Sequence, residues 1–309
     1  MITPNIGWLY FKDYFSELPQ LSYKEKPDFK FKKKNDHIFE QKIDDHEQRD
    51  LLKINTANIK NFNVRTEYPG LITGTGITHD FSHEDALKLG FSFDHTTGLP
   101  YIPASSVKGM LRAYFPSRLN KIIEQLEKKA KDSNKEKFQQ EADLFKPKAK
   151  AIGEFMIAQL VDIGVEGITP DILHRLEENI FEGYGWVEDR ETKELKWGRT
   201  SVYKRDIFFD AYPQSSRYIG DENNPKDEGR FLGEGVITPH GDDPLKDPTP
   251  IKFLKILPNV AFSFQFRLHD IIIDENITIN ATQKCMLFRE LLTQFGIGAK
   301  TNVGFGQMV

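Results

Sequence analysis

Cysteine is almost absent from this 309-residue chain: Cys285 stands alone, which excludes an internal disulfide and any zinc site built on clustered thiolates. Long apolar runs are missing too. No stretch reaches the length of a membrane span, and the opening Met-Ile-Thr-Pro-Asn-Ile-Gly has neither the basic start nor the apolar core of an export signal. A cytoplasmic protein without membrane contact is therefore expected. A basic excess is also lacking, since 42 Lys and Arg face 46 Asp and Glu for a net charge of −4. Free-standing nucleic-acid binders are usually basic, so a polyanion would have to be met by one local face. Tryptophan is scarce, with three, against 24 phenylalanines, most of which must belong to a core.

Hydrophobic residues make up 39% of the chain, enough to bury a core in one large domain or two ordinary ones. Residues 61–66 alternate apolar and polar, a strand pattern that Pro69-Gly70 breaks before a Gly/Thr-rich extended stretch at 71–77. Helices are predicted over 108–115, with Ser105 as N-cap, and over 118–137, 154–163 and 171–180. A strand at 202–209 follows a Gly/Trp-rich turn region. Residues 221–250, rich in Asp, Gly and Pro, read as a long loop or extended hairpin. Val260, Phe262, Phe264, Phe266 and Leu268 mark the clearest strand. Asn280 can cap a helix whose stripe is Cys285, Phe288, Leu291, Leu292 and Phe295, ended by Gly296, with a last strand at 302–309.

Two segments almost 200 residues apart carry the chemistry. Pro-Tyr-Ile-Pro-Ala-Ser-Ser-Val-Lys-Gly-Met-Leu-Arg, residues 100–112, sets Ser105, Ser106, Lys108 and Arg112 on the first two turns of a helix. Lys108 and Arg112 are four apart and share a face. Gly-Ile-Gly-Ala-Lys-Thr-Asn-Val-Gly-Phe-Gly, residues 296–306, packs glycines around Lys300, Thr301 and Asn302. Both combine bare amides with cations, as a phosphate backbone requires. The second segment is not a nucleotide-binding P-loop: Gln294 and Ala299 occupy positions where that motif needs glycine, and too few residues follow Lys300 for its helix. Spacing alone leaves open whether this loop is simply a glycine-rich turn before a strand. Gly298 and Gly304 are expected to hold torsions closed to other residues, or to approach a bound phosphate backbone too closely for a Cβ.

Other candidates have blander readings. His79, His83 and His240 lie among Asp and Glu, but nothing in the sequence makes them converge on a metal. Six lysines against two acids over 24–34 suit a solvated loop or an arm lying on RNA or a neighbour. Phe91, Phe93, Phe208 and Phe209 could stack on bases, though core positions suit them better.

The ordered set of 68–76 (Tyr-Pro-Gly-Leu-Ile-Thr-Gly-Thr-Gly), 100–112, Thr-Pro-His at 238–240 and 296–306 resembles the RAMP superfamily of CRISPR proteins. Within it the likeness is to the sixth subunit of type III-B (Cmr) effector complexes. It runs from about residue 63 to the C-terminus. The resemblance implies a single α+β domain with a ferredoxin-like (RRM-like) RAMP fold. An N-terminal extension (1–60), a helical insertion (116–180) and a loop insertion (221–250) would expand it. It also implies an RNA-binding subunit whose partners are crRNA, target RNA and other subunits of a type III-B complex, with no cofactor and no metal. Ser105, Ser106, Lys108, Arg112, Gly298, Lys300, Thr301, Asn302 and Gly304 would cradle RNA, with Arg65 on the first strand and His79 at its end. Catalysis is not expected, because in such complexes a different, repeated subunit cuts the target. The 221–250 insertion would order against a neighbouring subunit. The alternatives are a RAMP endoribonuclease that processes crRNA precursors, with His79, His83 or His240 as acid or base, and a purely protein-binding scaffold.

Overall fold

The computed structural model describes residues 5–16, 31–43, 54, 56, 58–74, 76–77, 85–88, 90–133, 135–218, 228–238 and 250–309. In chain order these form α1 (Ile6–Phe11), α2 (Phe31–Phe39), β1 (Ile59–Arg65), α3 (Ala104–Ala113), α4 (Ser117–Ser133), α5 (Glu136–Asp162) and α6 (Pro170–Glu177). The hairpin β2 (Tyr184–Glu188) and β3 (Leu195–Arg199) follows, then β4 (Ile207–Phe208), β5 (Tyr212–Ser216), β6 (Leu232–Ile237), β7 (Ile251–Ile256) and β8 (Val260–Arg267). Last come β9 (Ile271–Asp274), β10 (Ile277–Ile279) and α7 (Ala281–Phe295). The chain thus mixes helix and sheet.

β8 is the centre of the main sheet. It pairs antiparallel with β1 on one side, Phe62 opposite Phe264, and with β4 and β5 on the other. Its alternating phenylalanines enter the core as the pattern requires. The polar positions are covered as well: Ser263 is 8% and Gln265 4% exposed, and Gln265 accepts the Ile54 amide at 2.9 Å. Alternation therefore located this strand but did not reveal that both of its faces are buried. Beyond β1, Arg65 and Val309 exchange backbone hydrogen bonds, so the C-terminus lies along the outer edge. The expected strand at 302–309 shrinks to this end. Thr301–Val303 form a 3-10 turn, and Gly304 and Gly306, at φ +93° and +76°, leave the extended region that a strand needs.

Helix α7 follows the sequence reading closely. Asn280 accepts from the Gln283 amide at 2.9 Å, Gln283 reciprocates at 3.0 Å, and Gly296 ends the helix at φ +72°. Burial lifts the Cys285 thiol to about pKa 11. In native protein near pH 8 this thiol should resist a thiol-specific reagent and become reactive only on unfolding; rapid labelling without unfolding would place Cys285 outside the core.

Elsewhere the structure departs from expectation. α3 begins at Ala104 rather than after a Ser105 cap: Pro103 precedes it, and the Ala104 amide donates to Asp210 Oδ1 at 2.6 Å. A cap supplied from a distant segment leaves no local trace in the sequence. The helix expected at 154–163 is the end of the much longer α5, which accommodates Pro147. Of the predicted 202–209 strand, Ile207 and Phe208 pair with β8 and the Phe209 amide donates to the Gln265 carbonyl, whereas Val202–Lys204 form a 3-10 turn. The turn region before it contains the β2–β3 hairpin, held by a Trp186–Trp197 pair at 5.6 Å. Within 221–250, β6 is a strand that pairs with β7 just beyond it, Leu232 opposite Ile256. Residues 219–227 and 239–249, and with them the expected subunit contact, lie outside the described residues.

The described part of the first sixty residues belongs to the main core. Ile6, Leu9, Tyr10, Tyr14, Phe31 and Ile38 are buried in the same cluster as β8 and α7. Tyr14 donates to Asn35 at 2.8 Å and accepts the Leu87 amide at 2.9 Å, and Lys34 of the lysine-rich run pairs with Asp13.

Candidate nucleic-acid interface

Three distant segments meet at residues 69–74. After the turn at Pro69-Gly70, Leu71 bridges Ile256 of β7. The Ile72 carbonyl accepts the Ala299 amide at 3.0 Å, and the Gly70 carbonyl accepts the Gly306 amide at 2.8 Å. Thr73 Oγ1 donates to the Tyr101 carbonyl at 3.4 Å, on the run that enters α3. At the far end of that helix Tyr114 stacks on Phe295 at 3.8 Å, immediately before the glycine-rich loop. The fold thus brings 100–112 and 296–306 onto one strip of backbone.

Close backbone approach explains the glycines. A Cβ on Gly298, at φ +97°, would stand 2.5 Å from the Ile72 carbonyl oxygen. One on Gly306 would collide with the Ile297 carbonyl. Gly304 has a positive φ as expected, but its nearest neighbour would be Pro69 Cδ at 3.5 Å, an ordinary contact. The close approach at Gly298 is therefore to the chain's own backbone.

This packing pushes residues 300–302 outward. Lys300 sits in the left-handed region at φ +60°, exposed, followed by half-buried Thr301 and exposed Asn302. Among the described residues the amides of Lys300, Thr301 and Asn302 donate to no carbonyl, and Lys300 makes no ion pair. Successive unspent amides beside a left-handed residue form a concave cradle for an anion. Lys255, which the sequence reading missed, lies half-buried with Nζ 6.0 Å over the Phe305 ring, and burial lowers its pKa. Only its place on β7, beside the bridge to Leu71, brings it here.

The α3 residues divide into two groups. Ser105 and Ser106 are exposed, and because Asp210 caps the helix their hydroxyls stay free among the described residues. Lys108 lies with Nζ 5.7 Å over the Phe208 ring. Arg112 is engaged: its guanidinium pairs with Glu182, approaches Glu177 at 4.0 Å and lies over Phe181. A phosphate reaching Arg112 would compete with two carboxylates. Arg65 donates to the Asn259 carbonyl at 2.9 Å, and burial together with the neighbouring Arg217 charge lowers its pKa. Two guanidiniums gathered this way favour an anion between them.

His79, His83 and His240 lie outside the described residues, and no cluster of His, Cys, Asp and Glu among the described residues could hold a metal ion. Phe91, Phe93 and Phe208 are core residues, 3%, 6% and 9% exposed. No described helix is long and apolar enough to cross a membrane.

The family model described as RAMP superfamily matches residues 63–309. Among solved structures, a chain of the type III-B Cmr-beta complex bound to cognate target RNA aligns at 21% identity and a TM-score of 0.40, covering 81% of this chain and 57% of that one. The present chain thus spans somewhat over half the length of that relative. Cmr6 from Pyrococcus furiosus aligns at 21% identity and a TM-score of 0.39, covering 83% of this chain and 99% of its own. A chain of a type III-A Csm–crRNA–target RNA ternary complex aligns at 20% identity and a TM-score of 0.22, covering 59% and 39%. No curated protein sequence matches.

Proposed function

The chain belongs to the RAMP superfamily, and from that premise we propose that it is a non-catalytic, RNA-binding subunit of a type III-B CRISPR effector complex. It would hold crRNA by its phosphates and present it for pairing with target RNA, while other faces meet neighbouring subunits. Read this way the sheet is ferredoxin-like: C-terminal edge, β1, β8, then β4 and β5, with α3 and α7 as its two helices. One observation carries the RNA reading, namely the amides of 300–302 and the Lys300 side chain, all without partners among the described residues, on the strip that also anchors the entry to α3. An acidic chain can bind RNA there because the cradle is local. Sequence would be read by the guide, leaving protein contacts positional.

Affinity purification of the tagged chain from its native cells, followed by sequencing of copurifying RNA, tests this proposal. A discrete set of guide RNAs should appear together with other effector subunits, and the purified chain should leave precursor RNA uncut. Recovery of neither RNA nor partners would overturn the reading, and cutting of precursor would turn it towards the endoribonuclease.

A further inference from the structure

A pair of arginines stands at the other end of the stretch 65–70 from the glycine-rich loop. Three strands lie side by side there, with Arg65 of β1 opposite Ala261 of β8 and Ala261 opposite Ser215 of β5. Arg65 reaches across the small Ala261 to the far strand: its guanidinium donates to the Asn259 carbonyl at 2.9 Å and to Ser215 Oγ at 3.4 Å. The same Asn259 carbonyl accepts the Arg217 amide at 3.0 Å, one residue beyond the end of β5. Arg217 thus continues the alternation of β5, on the face that carries Ser215 and Arg65.

Neither cation has an acid to neutralise it. Arg65 is half-buried and Arg217 exposed, and neither forms an ion pair among the described residues. Glu67, the carboxylate closest to Arg65 in sequence, pairs with neither of them. The Val309 oxygen accepts the Arg65 backbone amide, at 2.6 Å, rather than its guanidinium. Burial and then the Arg217 charge lower the Arg65 pKa, and no carboxylate opposes that shift. A donor is stranded beside them. Gln214, the extra residue where the β5–β8 register shifts, has its Nε2 buried and without a hydrogen-bond partner among the described residues. Two like charges and an orphan amide donor therefore face no anionic acceptor, and an anion between them would offset the repulsion.

We propose that Arg65 and Arg217 form a second phosphate clamp, holding a backbone phosphate of the same RNA strand as the glycine-rich loop; this rests on the RNA reading of that loop. Guanidiniums suit the task because their rigid forks match two oxygens of one phosphate. The spacing suits it as well. Arg65 and Pro69 are four residues apart, which is at most about 14 Å. Pro69 in turn reaches the loop, since a Cβ on Gly304 would lie 3.5 Å from its Cδ. Between the two clamps Tyr68 is 84% exposed, so the way from one to the other runs over open surface. The arginine pair shares no residue with the glycine-rich loop, and the two can fail separately.

The test titrates the full chain with a labelled oligouridylate across a salt series. Arg217→Ala should weaken binding about tenfold and lower the slope of log affinity against log salt by about 0.7, one phosphate's worth. Arg217→Lys should keep the slope, and Arg217→Glu should weaken binding more than Arg217→Ala does. Combined with Lys300→Ala, Arg217→Ala should lower the slope by about 1.4. Arg217 is exposed and only its backbone is engaged among the described residues, so folding should be unaffected, which thermal melts check. If Lys300→Ala reduces affinity and slope while Arg217→Ala changes neither, the arginine clamp is refuted and the glycine-loop reading survives. The converse pattern upholds the arginine site and sinks the loop. Inorganic phosphate is titrated alone as the other source of the same chemistry, with the melting temperature as readout. A stabilisation by phosphate that Arg217→Ala abolishes without any change in RNA affinity would assign the pair to a free anion and overturn the proposal. Loss of subunit assembly by Arg217→Ala at unchanged RNA affinity would assign it to a protein and overturn it too, as would no RNA binding by the wild-type chain.

Discussion

Asp206→Ala should destabilise the protein by about 3–5 kcal/mol, the cost of leaving a buried charge without its partner. Lys284 and Asp206 side chains are each 1% exposed, with Nζ 2.7 Å from the carboxylate and 2.7 Å from Asn179 Oδ1. Asp206 also accepts the His269 amide at 2.8 Å, and Asn179 donates to the Tyr184 carbonyl at 2.6 Å. The ion pair therefore ties α7 to the turn before β4 and to the helical insertion. Burial lowers the Lys284 pKa, against the opposing pull of Asp206. The folded state then holds this proton less tightly than the unfolded chain, so the group costs stability at neutral pH, a cost that shrinks as pH rises through the lowered pKa towards the unfolded value. Without Asp206 that pKa falls further, and the deficit of Asp206→Ala should be smaller in melts at alkaline pH than at neutral pH. Adding Lys284→Met should restore most of the loss, since a buried pair replaced by apolar groups is often close to neutral. A deficit that neither pH nor Lys284→Met relieves would mean that the stranded ammonium is not its cause.

Gly298→Val should cost nearly as much. At φ +97° an L-residue is strained by about 1–3 kcal/mol. The added Cβ must also push against the Ile72 carbonyl oxygen from 2.5 Å, and backbone there has little room to yield. The Ala299–Ile72 hydrogen bond should open and the loop detach, for a total on the order of 3 kcal/mol or more. Gly304→Ala is the control. Its Cβ meets only Pro69 Cδ at 3.5 Å, so the cost should be the backbone strain alone, about 1–2 kcal/mol. Melting temperatures of the two variants check this, and equal losses would contradict the geometry.

These two sites mark how much the sequence disclosed. Periodicity and cap chemistry located β1, β8 and α7, because those signals are local: alternating phenylalanines, and the Asn280–Gln283 pair three residues apart. The glycine-rich loop was visible as a composition, and its positive torsions followed from that. Which backbone Gly298 would approach did not, because Ile72 is far away in sequence. Lys284 sits inside the apolar stripe of α7 and reads as a solvated lysine until Asp206 and Asn179 are brought to it. Arg112 read as a free cation for the same reason, its carboxylates Glu177 and Glu182 coming from the other side of the helical insertion. The N-terminal segment precedes the family match at residue 63, yet Phe31 and Tyr14 are core residues. Its polar, lysine-rich texture concealed the few apolar anchors that hold it.

The central claim is that residues 298–304 hold RNA by its phosphates, and Lys300→Ala tests it most directly. Lys300 is exposed and makes no ion pair among the described residues, so its removal should leave folding intact. Binding of the full chain to two single-stranded RNAs of unrelated sequence is measured across a salt series. The account predicts that Lys300→Ala weakens both RNAs alike and lowers the slope of log affinity against log salt by about 0.7, one phosphate's worth. An unchanged slope, or a loss confined to one of the two sequences, would contradict it.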